Sequence, residues 1–346
     1  MQRTDWGARI GRRVRLRDLH ILLTVAEHGT MAKAAVRLNI TQPAVSDSIA
    51  TLETALGVRL LNRSRKGIEL TAYGVVLLKY GRLAIDDLRQ GIKEIEFLAD
   101  PTAGELRVGC TESIAHGLLL PVIDRLAARY PRVRLHVHQF AMPPDEFAEL
   151  DRRRVDLIIS RQSLAWTGGS TSRALNVERL FDDRYCLVVS TKNPLARRAK
   201  IALADLANER WIMTPGDITA AALDNFPRSD LTGQAAVEQA FIDAGLEVPE
   251  FNIVTYSLFL RTRLLASGPY VSIVPVSVLR QYADILRELP VRLRLPRWPV
   301  AAVSLKARST TPVTGLFVEC VREVAARLIN SDMAKSNGLR GAGRGK

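Results

Sequence analysis

Residues 41–57, TQPAVSDSIATLETALG, constrain the fold of this 346-residue chain more tightly than any other segment. Their apolar side chains recur at intervals of four, three and four residues, the spacing that gives a helix one buried face: Val45, Ile49, Leu52 and Leu56. A threonine suited to capping comes first, and Pro43 falls in the first turn, where a missing N–H is harmless. The segment is predicted to be a helix that packs one face on a core and leaves a lightly charged face outside.

Two shorter helices precede this one and a hairpin follows it. The first is predicted to start with Asp18 as its cap and to end at His28. Thr30 is suited to cap the second, MAKAAVRL, which ends in a tight turn at Asn39. Two β-prone runs flank the cationic turn at residues 64–67 and predict a hairpin, or wing. Together these elements predict a winged helix-turn-helix, whose third helix can enter a DNA major groove.

Residues 71–99 predict one long helix with a heptad repeat. Apolar residues stand seven apart in two rows that are three residues out of phase, and they define the seam Leu78, Ile85, Leu88, Ile92 and Ile95. Such a seam packs either on its own domain or on the same helix of a second chain. Its regularity favours pairing between two chains, so we assign these residues to dimerisation.

Residues 100–104, DPTAG, break the long helix and are expected to form a hinge. Strands and helices then alternate, which predicts parallel sheets flanked by helices, and an interruption near the middle predicts two α/β lobes with a cleft between them. We therefore expect five regions: a basic flexible lead-in (1–17), the winged helix-turn-helix (18–70), a linker helix with its hinge (71–100), a two-lobed α/β domain (101–331) and a disordered basic tail (332–346).

The formal net charge of +13 indicates a polyanionic partner, either nucleic acid or an acidic membrane surface. The N-terminus lacks the apolar core of a signal peptide, and no apolar run approaches the roughly 20 residues of a membrane-spanning helix. We expect a cytoplasmic protein with no membrane partner. Three cysteines lack metal or redox spacing and are expected to be small buried residues: Cys110, Cys186 and Cys320.

No catalytic constellation is found in the sequence. His116, His136 and His138 are scattered, and there is no G-x-S-x-G, Walker loop or H-E-x-x-H motif. We expect no catalytic residues, no metal site and no cofactor. An enzyme or a solute-binding protein of the same α/β fold, with an accessory DNA-binding domain, stays open as the alternative.

Residues 26–74 closely resemble the N-terminal signature of LysR-type transcriptional regulators. The matching positions are Ala34-Ala35, Leu38, Gln42-Pro43-Ala44-Val45-Ser46, Leu52-Glu53, Leu56-Gly57, Leu60, Arg63, Leu70-Thr71 and Gly74. At lower specificity the resemblance extends over about residues 16–330. It implies a homodimer or homotetramer paired through linker helices, an effector domain like periplasmic solute-binding proteins, and transcription controlled by a small-molecule effector. RNA polymerase is a further candidate partner.

The DNA-binding residues are expected to divide phosphate contacts from base contacts. The cations on and around the wing are expected to neutralise phosphates: Arg59, Arg63, Arg65 and Lys66. The basic lead-in is expected to add further phosphate contacts. Gln42 and Ser46, with Pro43 beside them, are one helical turn apart and suited to base edges. Asp47 and Leu61 depart from the family pattern, and Asp47 repels phosphate but can accept from cytosine N4. The expected set also includes Thr30, Lys33 and Thr41.

The effector site is expected where the first strand of the two-lobed domain meets its helix. Thr111 and Ser113 there suit an anion at a helix N-terminus, provided that Glu112 points away; ordinary helix capping is the alternative. Arg161 is suited to pair with an effector carboxylate. Further expected effector-binding residues are Ser160, Thr214, Thr255 and Ser257. The expected effector is a small anionic metabolite.

Overall fold

The computed structural model describes residues 13–64, 67–140, 146–161, 174–214, 233–291, 293, 297–308 and 310–341. The chain divides into two compact units, Met1–Ile95 and Glu96–Lys346. Within the described ranges, no helix is both long enough and apolar enough to cross a bilayer.

The first unit consists of helices and a two-stranded hairpin. Its elements are α1 (Leu16–His28), α2 (Met31–Leu38), α3 (Gln42–Leu56), β1 (Leu61–Ser64), β2 (Gly67–Leu70) and most of α4 (Ala72–Ala99). The strands β1 and β2 are antiparallel and pair Leu61 with Leu70, which confirms the predicted wing. The predicted cap Asp18 is wrong, because α1 begins at Leu16 and Asp18 is buried in its first turn.

The predicted buried face of α3 is confirmed. Val45, Ile49 and Leu52 are fully buried among apolar side chains of α1, α2 and the wing, and Leu56 packs against the same cluster. Burial of each large apolar side chain stabilises the fold by roughly 1.5–3 kcal/mol, so these contacts fix α3 on the unit. The sequence pattern thus determines which face of α3 stays outside.

The described residues of the second unit form one mixed sheet and its flanking helices. The strands are β3 (Ala103–Thr111), β4 (Arg132–Phe140), β5 (Leu157–Arg161), β6 (Leu175–Ser190), β7 (Arg210–Met213), β8 (Ile253–Val254), β9 (Tyr270–Pro275), β10 (Leu286–Glu288) and β11 (Arg297–Leu305). The α-helices of at least six residues are α5 (Leu120–Arg129), α6 (Glu146–Asp151), α7 (Gly233–Asp243), α8 (Leu258–Ser267), α9 (Val276–Gln281) and α10 (Pro312–Gly341). Short helical turns at Glu112–Ile114 and Ala115–Leu119 lead from β3 into α5.

The strand order is β4-β3-β5-β11-β6-β9-β7-β8, with β10 also on β6. Strands β3, β4 and β5 are parallel to one another, as are β7, β8 and β9, but β6 and β11 run antiparallel to their neighbours. The predicted parallel pairing is therefore present within each lobe, whereas β6 and β11 make the whole sheet mixed. The first half of β6 pairs with β11, and its second half pairs with β9 and β10, so one strand joins two lobes.

Each lobe has its own apolar cores. The first lobe buries β3, β5 and β11 against α5 and α10, and the second buries β7 and β9 against α7. Helix α10 continues to Gly341, so the predicted disorder of residues 332–346 is wrong for residues 332–341; the last five lie outside the described residues. The predicted flexible lead-in also lies outside them up to residue 12, and α1 includes its last two residues.

Candidate nucleic-acid interface and ligand cavity

Short-range hydrogen bonds cap the N-termini of α2 and α3. The Lys33 N–H donates to the Thr30 hydroxyl at 3.2 Å, and the Ala44 N–H donates to the Thr41 hydroxyl at 3.4 Å. Asn39 closes α2 in the left-handed region, with a φ of 53°. Thr30 and Thr41 therefore serve as helix caps in this structure.

The outer face of α3 matches the expected base-reading face in composition. Gln42, Pro43 and Asp47 are exposed, whereas Ser46 is half-buried. Lys33 and Arg59 are also exposed. Of the remaining predicted phosphate contacts, the Arg63 side chain and residues 65–66 lie outside the described residues.

The start of the wing is fixed by a residue whose role the sequence did not reveal. The Glu53 carboxylate on α3 accepts from the Leu60 N–H at 2.7 Å and from the Leu61 N–H at 3.2 Å. On the other side, the Thr71 hydroxyl donates to the Arg59 carbonyl at 2.7 Å. The wing is thereby held at both ends, and a carboxylate directed at two successive amides was not recognisable from spacing alone.

Helix α4 exposes part of the predicted heptad seam. Leu88, Ile92 and Ile95 are between 50% and 67% exposed, while Leu78 and Ile85 are half-buried. Exposed apolar side chains also continue toward the start of the helix at Tyr73, Val76 and Tyr80. A helix face of this kind is typical of a surface that packs against a partner.

The second unit contains a cavity of about 500 Å³ between its two lobes. Six of the seven predicted effector-binding residues line it: Thr111, Ser113, Ser160, Arg161, Thr214 and Ser257. The seventh, Thr255, lies outside this lining, and its hydroxyl accepts from the Ser257 N–H at 3.2 Å. Residues separated by more than 140 positions in sequence are thus brought to one concave site.

A buried ion pair occupies one wall of the cavity. The Arg161 guanidinium contacts Asp183 Oδ2 at 2.6 Å, and the two side chains are 8% and 3% exposed. Arg161 also donates to the Ser113 hydroxyl at 2.7 Å, and the Ser277 hydroxyl donates to Asp183 Oδ2 at 2.6 Å. Arg161 is therefore paired with a carboxylate of the protein itself, a partner that the sequence analysis did not identify.

Glu112 lines the cavity, whereas the predicted anion site required this side chain to point away. Its carboxylate accepts from the Leu258 N–H at 2.7 Å and from the Phe259 N–H at 3.1 Å, the first amides of α8. A carboxylate at a helix N-terminus is favourable because it satisfies free N–H groups and the helix dipole. Glu112 lies just after β3 of the first lobe, so this contact joins the two lobes at the cavity.

Among the lining residues that the sequence did not reveal are Arg261, Tyr185 and Trp298. Arg261 is 4% exposed, and burial lowers the pKa of its guanidinium, while nearby Tyr185 and Glu112 act in the opposite direction. Burial also raises the pKa of Tyr185, which keeps its phenol protonated. The third is Trp298 on β11. The available signal was the helical spacing of Leu258, Arg261 and Leu265, which places an arginine on the buried stripe of α8.

Outside the cavity, the histidines, cysteines and acidic residues in the described part of the chain form no recognisable metal site. No group of three or more His, Cys, Asp or Glu suited to a metal is found there. The three cysteines are buried, as the sequence predicted, and none of them forms a disulfide with another described residue. The His116 ring nitrogen Nδ1 contacts the Tyr282 hydroxyl at 2.8 Å, which accounts for one of the scattered histidines.

Comparisons with known proteins cover both units. Residues 16–75 match the family described as bacterial regulatory helix-turn-helix protein, lysR family, and residues 99–326 match the LysR substrate binding domain. The transcriptional regulator GbpR of Rhizobium radiobacter is 27% identical over 87% of this chain and 96% of its own length. AlsR of Bacillus subtilis (strain 168) is 31% identical, over 56% of this chain and 62% of its own length.

A solved structure agrees with these matches. Full-length CbnR complexed with its target DNA is 25% identical, with a TM-score of 0.58, over 90% of this chain and all of that chain. The family matches span more than half of the sequence and include both the winged helix-turn-helix and the two-lobed unit. This chain belongs to the LysR family of DNA-binding transcription regulators.

Proposed function

We propose that a small anionic metabolite binds in the cavity between the two lobes and controls how this regulator acts on DNA. The observation that carries the proposal is the convergence of hydroxyls and cationic side chains on a cavity of about 500 Å³. This volume lies within the roughly 300–1,000 Å³ of small-molecule sites. Helix N-termini and hydroxyl donors at the ends of parallel strands suit oxygen-rich anions.

Ser113 is the proposed centre of recognition in the first lobe. Its oxygen already accepts from Arg161, so its own proton is available to a ligand oxygen. Thr111 is 3.4 Å away, hydroxyl to hydroxyl. On the second lobe, the Ser257 hydroxyl accepts from the Leu260 N–H and likewise retains a proton for a ligand. A metabolite held by both serines contacts both lobes at once.

Control of DNA binding follows if the metabolite prefers one arrangement of the lobes. A ligand shifts such an equilibrium only by the difference between its affinities for the two states. Strand β6 runs through both lobes, and Glu112 joins the first lobe to α8, so contacts on either side of the cavity are mechanically linked. These links support a cavity whose occupancy changes the geometry of the unit.

At the DNA end, we infer that α3 enters the major groove. Gln42 and Ser46 are then placed for base edges, and Pro43 and Asp47 lie on the same outer part of α3. Thr30, Lys33, Thr41 and Arg59 are proposed to face the backbone, together with Arg63, Arg65 and Lys66 of the wing. The complex of the relative CbnR with its target DNA supports this assignment.

We further infer a homodimer or homotetramer that pairs through α4. The exposed apolar residues Leu88, Ile92 and Ile95 support a helix-to-helix contact, and Leu78 and Ile85 extend the same seam. RNA polymerase is a further proposed partner.

The proposed location is the cytoplasm, where the DNA is found. The proposed role is regulatory rather than enzymatic, because the relatives are named as regulators.

Titration calorimetry against a panel of metabolites tests the cavity. We expect Ser113→Ala to weaken binding by about 1 kcal/mol or more, or roughly fivefold, because one hydrogen bond to the ligand is lost. Ser267→Ala is the matched control, since this exposed serine on α8 bonds only to the Leu264 carbonyl in the described structure. Unchanged affinity in Ser113→Ala argues against the site.

A further inference from the structure

Two residues of the cavity lining each carry a buried N–H donor that has no acceptor among the described residues: Arg261 Nε and Trp298 Nε1. We propose that Arg261 binds the charged group of the effector, that Trp298 donates to a second ligand oxygen, and that the effector is a monocarboxylate with a planar apolar body. The inference rests on the proposed function, because it names the ligand class of the same cavity.

Arg261 is the cation that the cavity leaves unpaired in the described structure. Arg161 is neutralised by Asp183 at 2.6 Å, whereas no hydrogen bond or ion pair to a described residue holds the Arg261 guanidinium. Glu112 acts electrostatically on Arg261, but its carboxylate already accepts from two backbone amides of α8. Burying an unpaired cation is costly, and an incoming anion removes that cost.

Trp298 supplies the second observation, independent of charge. A buried indole N–H can only donate, and it normally finds an acceptor. Trp211 in the same unit follows this rule, because its Nε1 donates to the Leu206 carbonyl at 3.0 Å. Trp298 Nε1 is also buried but lacks an acceptor within the described ranges, and Trp298 is one of the residues that line the cavity. An oxygen atom of the ligand satisfies it.

Charge and shape together select the ligand class. Among the described lining residues, Arg161 is neutralised by Asp183 and the Glu112 carboxylate is held by two backbone amides, so Arg261 is the one guanidinium left to pair with a ligand, and it suits a single carboxylate. The planar guanidinium matches the two oxygens of a carboxylate. The remaining wall is rich in rings and apolar groups: Phe140, Tyr185, Tyr256, Leu258 and Pro275. Such a wall favours a flat apolar body.

The test uses the full-length protein and four probes: benzoate, benzamide, acetate and phenyl phosphate. Benzamide keeps the ring without the charge, acetate keeps the charge without the ring, and phenyl phosphate carries more charge. We expect benzoate to bind most tightly in titration calorimetry and to raise the unfolding midpoint most.

Arg261→Met separates a ligand role from a structural role. We expect benzoate affinity to fall by about 10- to 100-fold, because a charge-assisted hydrogen bond is lost, while benzamide affinity is unchanged. The unfolding midpoint of the ligand-free variant is expected to stay level or rise, since an unpaired buried charge has been removed. Arg263→Met, on the exposed side of the same helix, is the matched control. We expect it to leave the benzoate affinity, the benzamide affinity and the unfolding midpoint unchanged.

Trp298→Phe keeps the ring and removes the donor, and we expect a loss of about 2- to 10-fold in benzoate affinity. Several results overturn the inference. The first is an Arg261→Met variant with a lower unfolding midpoint and unchanged affinity for benzoate. The second is benzamide or phenyl phosphate binding as tightly as benzoate. The third is no binding of benzoate to the unaltered protein. In any of these cases, a metabolite that binds more weakly to Ser113→Ala than to the unaltered protein still supports the proposed function. Failure of this inference is therefore distinguishable from failure of the proposed function.

Discussion

In the helix-turn-helix the polar contacts join near neighbours, whereas in the cavity they join residues far apart in sequence. The caps of α2 and α3 each join residues three positions apart. In the cavity, Arg161 and Asp183 are 22 positions apart, and Glu112 and Phe259 are 147 apart. The first site is therefore a solvent-exposed surface on a locally coded scaffold, and the second is an interior that exists only in the folded unit.

The difference predicts how each site responds to substitution. Exposed residues on α3 are expected to affect DNA binding with little effect on stability, because their side chains make few contacts in the free protein. Residues in the cavity wall are expected to affect stability and ligand binding together. Comparing the two effects in each variant tests this distinction.

The largest expected effect is that of Asp183→Asn. It leaves the Arg161 charge uncompensated in a buried wall, so the free energy of unfolding is expected to fall by about 3–5 kcal/mol in chemical denaturation. The neighbouring Asp182→Asn is the control, because its ion pair with Arg179 is at the surface and contributes about 1 kcal/mol or less. Equal losses in the two variants would show that the cavity pair is no more important than a surface pair.

The next effect concerns the anchor of the wing. Glu53→Ala leaves the amides of Leu60 and Leu61 without their acceptor, and we expect a loss of about 1–3 kcal/mol in unfolding free energy. Hydrogen exchange at these two amides is expected to accelerate more than at the core of α3. Glu27→Ala, an exposed substitution on α1, serves as the control. Unchanged exchange at Leu60 and Leu61 contradicts the anchoring role.

The smallest effect on stability is expected for Gln42→Ala, at about 0.5 kcal/mol or less, because the side chain is exposed. Its effect on operator binding is expected to be about 1–3 kcal/mol, with relaxed specificity at one base position. Fluorescence anisotropy with operator and random duplexes measures both affinities at one salt concentration. Equal losses on the two duplexes would remove Gln42 from the base-reading set.

Sequence patterns predicted the elements of the first unit because their signals are local. The spacing of Val45, Ile49 and Leu52 and the position of Gly57 after α3 reflect helix geometry that neighbouring residues determine. The start of α1 was missed by three residues, since the cap is Arg15 and Asp18 is a capping residue type that the fold instead buries. Tertiary packing there outweighed a local preference.

The second unit was predicted less completely, because many of its contacts join residues that are far apart in the sequence. The first eight residues of strand β6 include three charged side chains, Glu178, Arg179 and Asp182, so their composition does not indicate a strand. Six predicted residues line the cavity, but spacing does not encode the pairing of Arg161 with Asp183, nor the lack of an acceptor for Arg261 Nε among the described residues. The helical residues 332–341 were predicted as disordered from composition, although they extend a helix whose earlier turns are buried.

The most direct test of a DNA-binding regulator that reads bases through α3 is a DNase footprint. The probe is the promoter region beside the gene for this protein, with competitor DNA present at low salt. We expect a protected tract with the unaltered protein, and loss of that tract in Gln42→Ala at concentrations that still bind random DNA. Absence of protection by the unaltered protein, or an undiminished tract in Gln42→Ala, would contradict this account.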